Sequence, residues 1–253
     1  MVVKSVYGNN MILELDCGNT RVKWRLLSAS DGVVARGSLT PKQDVCKSLP
    51  VPAAKIKACR IASVWQEQAI TEYAESIASQ GVAVYLVHSS AELAGVRNSY
   101  RQPEKLGVDR WLAVVAAYDR YQSACLVLDF GTAVTADFVD NQGTYRGGVI
   151  APGLELMRST LMQKAQRLNV ALDGENPDLL MPQVTTAAGI EAGVRQMMKG
   201  FIAQQLLVAE QTFTANFKLI VVGGDAELLT ELGFDAIQEA DLVFLGMALA
   251  CPL

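Results

Sequence analysis

The chain has 253 residues, of which 51% are hydrophobic and 19% are charged, and its formal net charge at neutral pH is −4. This composition is typical of a compact globular protein and excludes a disordered chain. The slightly acidic balance gives no electrostatic basis for binding nucleic acid or a membrane surface, because both partners attract a basic protein. No apolar run approaches the roughly 20 residues that a membrane-spanning helix needs.

The cysteines and the N-terminus indicate the cellular compartment. The five cysteines are odd in number, mostly lie in apolar runs and form no CxxC pair, which favours reduced core thiols over disulfides or zinc. Residues 1–10 lack the apolar stretch and cleavage site of a secretory signal. We therefore expect a cytoplasmic protein.

Hydrophobic periodicity predicts a strand-rich first half with two main helices. The predicted elements are, in chain order, strands at 12–16, 22–27 and 33–39, a short helix within 41–52, a strand at 57–63, a helix at 66–80, a strand at 82–87 and a helix at 109–121. Residues 89–107 show no regular period and are expected to be irregular.

The second half begins with the same three-strand pattern. The predicted elements are strands at 124–129, 134–140 and 145–150, a helix opened by Pro152, a loop at 173–182, a helix at 186–212, a strand at 218–222 and helices at 224–232 and 239–250. The repeated pattern and the chain length favour two domains, at 1–118 and 119–253.

Two segments of the chain are similar in sequence, namely ILELDCGNTRVKW at 12–24 and LVLDFGTAVTADF at 126–138. Each is an apolar strand that ends in an aspartate, followed by a glycine, a hydroxyl-bearing turn and a returning strand. A carboxylate beside bare amides and a hydroxyl suits a magnesium nucleotide. One such copy alone is commonly only a turn signal. Two copies, with Asp16 and Asp129 separated by 113 positions (129 − 16), favour the functional interpretation.

The segment YRQPEKLGVDRWLAV, at 100–114, joins a loop to a predicted helix. Pro103 and Gly107 shape the loop, and Asp109 and Arg110 begin the helix. One interpretation is structural, with Asp109 as a helix N-cap beside a surface arginine. The other is functional, because a helix N-terminus, a carboxylate and a guanidinium together could accept a proton from a hydroxyl and bind an anionic substrate.

Several common catalytic patterns are absent from the sequence. No GxxxxGK[ST] segment, no GxGxxG after a strand and no protein-kinase signature set is present. The single histidine, His88, ends a predicted strand and is interpreted as structural, which excludes a histidine-based triad.

The duplicated clamp resembles the superfamily of actin, hexokinase, Hsp70 and acetate kinase, in which two ribonuclease-H-like domains grip the nucleotide phosphates. More specifically, the chain is similar to the bacterial type III pantothenate kinases. The shared motifs are DxGNT with a following lysine, Yxx-Pxx-LGxDR, DFGTAVT, GGxIxPG, a threonine ahead of a helical glycine, and VVGGD, in that order over nearly the whole chain. The resemblance implies an α/β fold with two actin-like domains, mixed five-stranded sheets and a nucleotide cleft between them.

The same resemblance implies ATP-dependent phosphorylation of the primary hydroxyl of pantothenate to 4'-phosphopantothenate, the first step of coenzyme A biosynthesis. In the first phosphate motif the matching residues are Asp16, Cys17, Gly18, Asn19, Thr20, Arg21, Val22 and Lys23. Asp16 would hold Mg²⁺, directly or through water. The second phosphate motif contributes Gly131, Thr132 and Thr135, and the adenosine-side turn contributes Gly223, Gly224 and Asp225.

Two further sites follow from the resemblance. Asp129 matches a position that binds K⁺ or NH₄⁺, although Val134 stands before Thr135 where the family usually has threonine directly. Asp109 matches the catalytic base. The pantothenate pocket is matched by Tyr100, Gly107, Val108, Asp109, Arg110 and Thr186. Because the family completes this pocket at a homodimer interface, a homodimer is implied, with pantothenate and ATP as ligands.

Two other functions remain open from the sequence. The first is another small-molecule kinase or an exopolyphosphatase of the same superfamily. The second is a nucleotide-binding transcriptional activator that kept the fold and lost catalysis. The presence of Asp16 and Asp109, together with the lack of a basic face, favours the enzyme.

Overall fold

The computed structural model describes residues 10–41, 43–164, 177–213, 216–223 and 227–253. The chain forms two compact units, the first from Met1–Arg120 with Asp241–Leu253 and the second from Tyr121–Ala240. The last helix therefore groups with the N-terminal residues. The predicted domains at 1–118 and 119–253 stay a prediction.

Both units contain strands and helices. The strands are β1 (Met11–Cys17), β2 (Val22–Ser28), β3 (Gly32–Leu39), β4 (Ile56–Ser63), β5 (Ala83–Val87), β6 (Glu92–Leu93), β7 (Val96–Asn98), β8 (Cys125–Phe130), β9 (Ala133–Val139), β10 (Thr144–Pro152), β11 (Lys218–Gly223) and β12 (Ile237–Gln238). The α-helices are α1 (Val45–Ser48), α2 (Glu67–Ala78), α3 (Val108–Tyr121), α4 (Leu154–Lys164), α5 (Thr186–Thr212), α6 (Glu227–Glu231) and α7 (Leu242–Ala250).

The sheet of the first unit has the order β3-β2-β1-β4-β5. The first three strands pair antiparallel, and β4 and β5 are added in parallel. Because side chains alternate across a strand, one face of β1 carries Leu13, Leu15 and Cys17 into an apolar core that also includes Ile70 and Ile77 of α2. The other face of β1 is polar.

The polar face contains a buried cluster of charges. Glu14, which is fully buried, accepts hydrogen bonds from Arg25 on β2 and from Arg60 on β4, the latter at 2.6 Å. Arg25 also contacts Asp241 at 3.2 Å and lies 4.9 Å from the ring centroid of Phe244, so it links α7 to this face. A buried carboxylate between two guanidinium groups is compensated, whereas a single unpaired charge would be costly.

The second unit repeats the arrangement of the first. Its strands follow the order β12-β11-β8-β9-β10, with β8, β9 and β10 antiparallel and β11 and β12 parallel. Val194, Met198 and Ile202 of α5 pack on the apolar face of this sheet. Two α/β units with this mixed strand order confirm the predicted fold class, although the second sheet has seven strands and not the predicted five. None of the described helices is long and apolar enough to cross a bilayer.

The structure differs from the predicted elements at three places. The stretch predicted to be irregular contains the short hairpin β6–β7, whose turn places Ala94 and Gly95 at positive φ. Pro152 ends β10 and does not open a helix, since α4 begins at Leu154. The two-residue strand β12 was not predicted. Strands this short contain too few residues to show an alternating pattern.

Candidate active site

The first turn joins β1 to β2 and spans residues 18–21. The Gly18 amide donates to the Arg21 carbonyl at 3.0 Å, which closes the loop. Asn19, Thr20 and Arg21 are exposed. A side chain at position 18 would place its Cβ 3.2 Å from the Arg21 carbonyl, so glycine suits this tight turn. The loop therefore presents its backbone to an approaching ligand.

Asp16 and Lys23 stand opposite each other in the β1–β2 register. Directly opposed residues in an antiparallel pair place their side chains on the same face. Both side chains are half-buried, and Lys23 forms no ion pair or hydrogen bond with any residue that the structure describes. The ammonium group can therefore pair with an anionic ligand at the end of this hairpin.

Two residues of the first motif have side chains in the apolar core and not on the face that carries Asp16 and Lys23. Cys17 and Val22 are fully buried in the apolar core of the first unit. Burial, with a smaller contribution from the Asp16 carboxylate, raises the pKa of the Cys17 thiol well above its usual value. The thiol stays protonated, so Cys17 and Val22 can contribute to phosphate binding only through their backbone.

The structure fits a magnesium site that uses one protein carboxylate. No cluster of three or more potential metal ligands occurs among the described residues. Mg²⁺ commonly binds one or two carboxylates and completes its shell with water and substrate phosphates. Asp16, beside the exposed first turn, supplies a carboxylate of this kind.

Asp109 lies in the first turn of α3 but is not the N-cap. The Gly107 carbonyl accepts a hydrogen bond from the Trp111 amide at 3.0 Å, and the helix begins at Val108. The structural interpretation of Asp109 as an N-cap was therefore wrong, because Asp109 is already the second residue of the helix. The Asp109 carboxylate accepts a hydrogen bond from the Arg110 amide at 2.8 Å.

Five of the residues predicted to bind pantothenate, at 100 and 107–110, lie around this helix end. A Cβ at position 107 would lie 2.8 Å from the Asp109 carboxylate, so a larger residue there would displace that oxygen. Arg110 is only 8% exposed and donates to the Tyr100 hydroxyl at 3.3 Å. Val108 is buried beneath them. The positive end of the helix dipole favours anionic groups at this position.

The second turn, residues 131–132, joins β8 to β9. Asp129 pairs with Thr135 in the register of these strands, and Gly131 and Thr132 are exposed. The Thr135 hydroxyl is buried and has no hydrogen-bond partner in the described part of the chain. Gly153 donates to the Thr132 carbonyl at 3.0 Å. A Cβ on Gly153 would lie 2.2 Å from the Gly131 carbonyl, so the end of β10 packs tightly on this turn.

Gly223, at the end of β11, packs on the other side of the same strand end. Its φ is +99°, and a Cβ there would lie 2.0 Å from the Phe130 carbonyl and 2.7 Å from the Asp129 carboxylate. Carboxylate and carbonyl oxygens are the donors that K⁺ accepts in proteins. The predicted residues Gly224 and Asp225 lie outside the described residues.

Two further residues concern the candidate site, namely Thr186, which was predicted, and Trp65, which was not. Thr186 is the exposed first residue of α5, whose N-cap is Thr185. The Trp65 indole donates to the Gly18 carbonyl at 2.8 Å. Sequence reasoning missed this residue, although its place directly after a strand of the first sheet was an available signal.

Solved structures of low sequence identity share the fold. A structure from Campylobacter jejuni, described as a Baf family transcriptional activator, matches with a TM-score of 0.59 at 23% identity, covering 93% of this chain and 94% of that chain. The activator of the 2-hydroxyisocaproyl-CoA dehydratase from Clostridium difficile, solved with bound ADPNP, matches with a TM-score of 0.52 at 13% identity, covering 94% of this chain and 93% of that chain. These likenesses concern the fold alone.

Sequence relatives are far more similar. Residues 12–207 match the family model of type III pantothenate kinase. A type III pantothenate kinase from Ectopseudomonas mendocina is 41% identical over 249 residues, which cover 96% of this chain and 100% of that protein. Together with the two duplicated α/β units, these matches show that the chain belongs to the type III pantothenate kinase family.

Proposed function

We propose how the residues of this chain carry out the phosphorylation of pantothenate by ATP, the reaction of its family. Phosphoryl transfer needs positioned reactants and neutralised phosphate charge more than covalent chemistry from the protein. The observation that carries the proposal is the arrangement at the N-terminus of α3. There the Asp109 carboxylate lies beside Gly107 and accepts a hydrogen bond from the amide of the buried Arg110.

Asp109 acts as the general base toward the primary hydroxyl of pantothenate. The hydrogen bond from the Arg110 amide fixes the orientation of the carboxylate, and the missing side chain at Gly107 gives the hydroxyl room to approach. A positioned general base commonly contributes about 10²- to 10⁴-fold to the rate.

Arg110 binds the carboxylate of pantothenate. Its guanidinium is buried and supported by the Tyr100 hydroxyl, and Tyr100 is itself held by a hydrogen bond from its amide to the Asn98 side chain at 3.1 Å. A guanidinium with little water around it binds a carboxylate strongly and in a defined orientation. Thr186 completes the pocket in this proposal.

The two turns bind the phosphates of ATP. In the first turn the backbone amides and the Lys23 ammonium neutralise phosphate oxygens, and Asp16 would hold Mg²⁺. Bound there, Mg²⁺ would stabilise the negative charge that develops on the phosphates. In the second turn Gly131 and Thr132 offer exposed backbone. Gly223 and Gly224 are assigned to the adenosine side of ATP in this proposal.

A monovalent cation binds beside Asp129 in this proposal. The Asp129 carboxylate and the Phe130 carbonyl both lie against Gly223. Two oxygen atoms that can bind a cation are therefore close to the same residue. We expect K⁺ or NH₄⁺ to raise the rate of ADP release above the rate in Na⁺. Equal rates in the three chloride salts would remove the cation from the mechanism.

The protein acts as a homodimer in this proposal. Large apolar side chains are exposed on α4, on α5 and on the segment before α5. They are Leu156, Leu161, Leu180, Met181, Val184, Met197 and Leu207. Exposed apolar groups in such number are typical of a contact surface. Light scattering at micromolar concentration should give the mass of two chains.

We also place the protein in the cytoplasm. All five cysteines are free thiols. Free thiols are typical of reducing compartments, where coenzyme A synthesis also takes place in this proposal. Fractionation of the native cells, followed by detection of the chain, tests the location.

A coupled assay of ADP release tests the reaction itself. The purified protein should consume ATP only when pantothenate and Mg²⁺ are both present, because the acceptor hydroxyl completes the in-line arrangement. Equal turnover with glucose or glycerol would contradict the assignment of substrate. Nucleotide binding without ADP release would instead favour the regulatory alternative.

A further inference from the structure

Trp65 supports the first turn from the neighbouring strand. Strand β4 runs parallel to β1, so both strands end at the same edge of the sheet. Directly after β4, the Val64 amide donates to the Cys17 carbonyl at 3.2 Å, and the Trp65 indole donates to the Gly18 carbonyl at 2.8 Å. The chain after β4 thus contacts the point where β1 enters the turn.

Trp65 is itself held in place by contacts that do not involve the turn. Its amide donates to the Ser63 hydroxyl at 3.1 Å. Its ring meets the ring of Tyr73 on α2 edge to face, with centroids 5.3 Å apart and an interplanar angle of 67°. The indole N–H therefore approaches the turn from a fixed support.

The hydrogen bond from Trp65 has a directional consequence for the turn. The Gly18 carbonyl belongs to the peptide that joins Gly18 to Asn19, and the described backbone contains no cis peptide bond. In a planar trans peptide the C=O and the N–H point in opposite directions. With the oxygen held toward Trp65, the Asn19 amide points away from it. This amide makes no hydrogen bond within the described residues.

The Gly18 amide cannot serve the same purpose, because it already donates a hydrogen bond to the Arg21 carbonyl. A hydrogen bond to a carbonyl also polarises its peptide and strengthens the N–H on the far side as a donor. We propose that Trp65 is a positioning residue for ATP, and that its indole N–H holds the Gly18–Asn19 peptide so that the Asn19 amide donates to a phosphate oxygen. This inference rests on the proposed function, since it requires the first turn to bind phosphate.

The variant Trp65→Phe tests this role, because it keeps an aromatic ring beside Tyr73 and removes the N–H. The KM and the dissociation constant for magnesium ATP should rise about 2- to 10-fold, the range expected for one hydrogen bond. The KM for pantothenate at saturating ATP should not change. A purely structural role would instead lower the melting temperature and alter both KM values together.

Two variants serve as matched controls. Trp24→Phe makes the same chemical change at an indole whose N–H has no hydrogen-bond partner in the described part of the chain, and Tyr73→Phe removes a buried hydroxyl that likewise has none there. Neither should raise the KM for ATP selectively. If Trp65→Phe does not fold, benzothienylalanine at position 65 keeps the shape of tryptophan and replaces the N–H with sulfur.

Lys23→Ala, measured beside these variants, distinguishes the role of Trp65 from the binding of phosphate by the first turn. Unchanged ATP affinity in Trp65→Phe with weakened affinity in Lys23→Ala would overturn the role of Trp65 alone. Unchanged affinity in both variants would overturn the assignment of the first turn to phosphate binding. A selective loss of ATP affinity in both supports the inference.

Discussion

The two units contain the same strand-turn-strand element but build its surroundings differently. In the first unit charges lie on the sheet itself, where Glu14 is enclosed by Arg25 and Arg60 on the face that also carries Asp16 and Lys23. In the second unit the turn is enclosed by glycine backbone. Gly153 and Gly223 both pack so closely on residues 129–132 that a Cβ at either position would clash.

The second unit also has a carboxylate between two arginines, but it lies on helices. Glu191 of α5 accepts hydrogen bonds from Arg158 of α4 at 2.5 and 2.7 Å and from Arg195 at 3.0 Å. The duplicated scaffold thus offers charge at one turn and close backbone approach at the other. Changes in the first unit should therefore act on the binding of charged ligands, and changes at the second turn should act first on packing.

The largest effect is expected for Asp109, which lies on neither turn. Asp109→Asn keeps an oxygen that can accept the hydrogen bond from the Arg110 amide, so the melting temperature should change little. The loss of the proton acceptor should lower kcat about 10²- to 10⁴-fold. ATP affinity should survive because both turns are intact. Thermal unfolding, nucleotide binding and steady-state kinetics on one preparation check all three expectations.

Near-normal kcat in a folded Asp109→Asn protein would contradict the assigned base. Loss of ATP affinity in the same variant would instead show that the end of α3 contributes to the nucleotide site. Either result would contradict the assignment of proton transfer to Asp109 and of phosphate binding to the two turns.

The second prediction concerns packing at Gly223. Gly223→Ala introduces a Cβ 2.0 Å from the Phe130 carbonyl, whereas Gly147→Ala, at a nearly equal φ of +102°, meets nothing within 4 Å. Both variants incur the strain of a positive φ, about 1–2 kcal/mol. Only Gly223→Ala should lose about 1–3 kcal/mol more from overpacking. Urea unfolding of the two variants measures the difference, and equal losses would contradict the steric account of the second turn.

The parts of the fold that the sequence predicted are those with long, regular periods. The strands of both meanders follow from the alternation of apolar residues, and α5 at Thr186–Thr212 follows from a helical period. The hairpin β6–β7 was missed because its strands have two and three residues, and Pro152 was misplaced because a proline can also occupy the last position of a strand.

The candidate site was predicted where its residues are close in sequence. The group at 107–110 and each turn are single short segments, so motif reading could find them. The packing of Gly223 on Asp129 and the hydrogen bond from Trp65 to Gly18 join residues that are distant in the chain. Such contacts depend on which strands become neighbours, and the period of one segment does not determine that.

The third prediction compares the two turns directly. Lys23→Ala removes a charged partner of phosphate and should raise the KM for ATP about 10- to 100-fold, as for a hydrogen bond to a charged group. Thr132→Ala removes a neutral hydroxyl and should raise it about 2- to 10-fold. Lys57→Ala, which removes an exposed lysine of β4, is the control and should have no effect. Equal effects in the two turns would contradict the division between charge and backbone approach.

The smallest effect concerns the pH dependence of stability in the second unit. Burial raises the pKa of Glu191, but the hydrogen bonds and charges of Arg158 and Arg195 outweigh burial, so the pKa of this carboxyl lies below its usual value. A lowered pKa in the folded state means that the carboxylate stabilises the fold above the unfolded pKa, about 4.3, and that this contribution is lost as the pH falls through the folded pKa. Glu191→Gln removes the titration and keeps the shape.

The free energies of unfolding of the parent chain and Glu191→Gln, measured in urea from neutral pH to about pH 3, should therefore converge as the pH falls below the unfolded pKa of about 4.3. A gap that stays constant with pH would show that the loss comes from packing and not from the charge. Because this cluster lies on α4 and α5 and not on the sheet beside the turn, the KM for ATP of Glu191→Gln should equal that of the parent chain at neutral pH. A raised KM would show that helix charges in the second unit also act on the nucleotide, as the sheet charges do in the first.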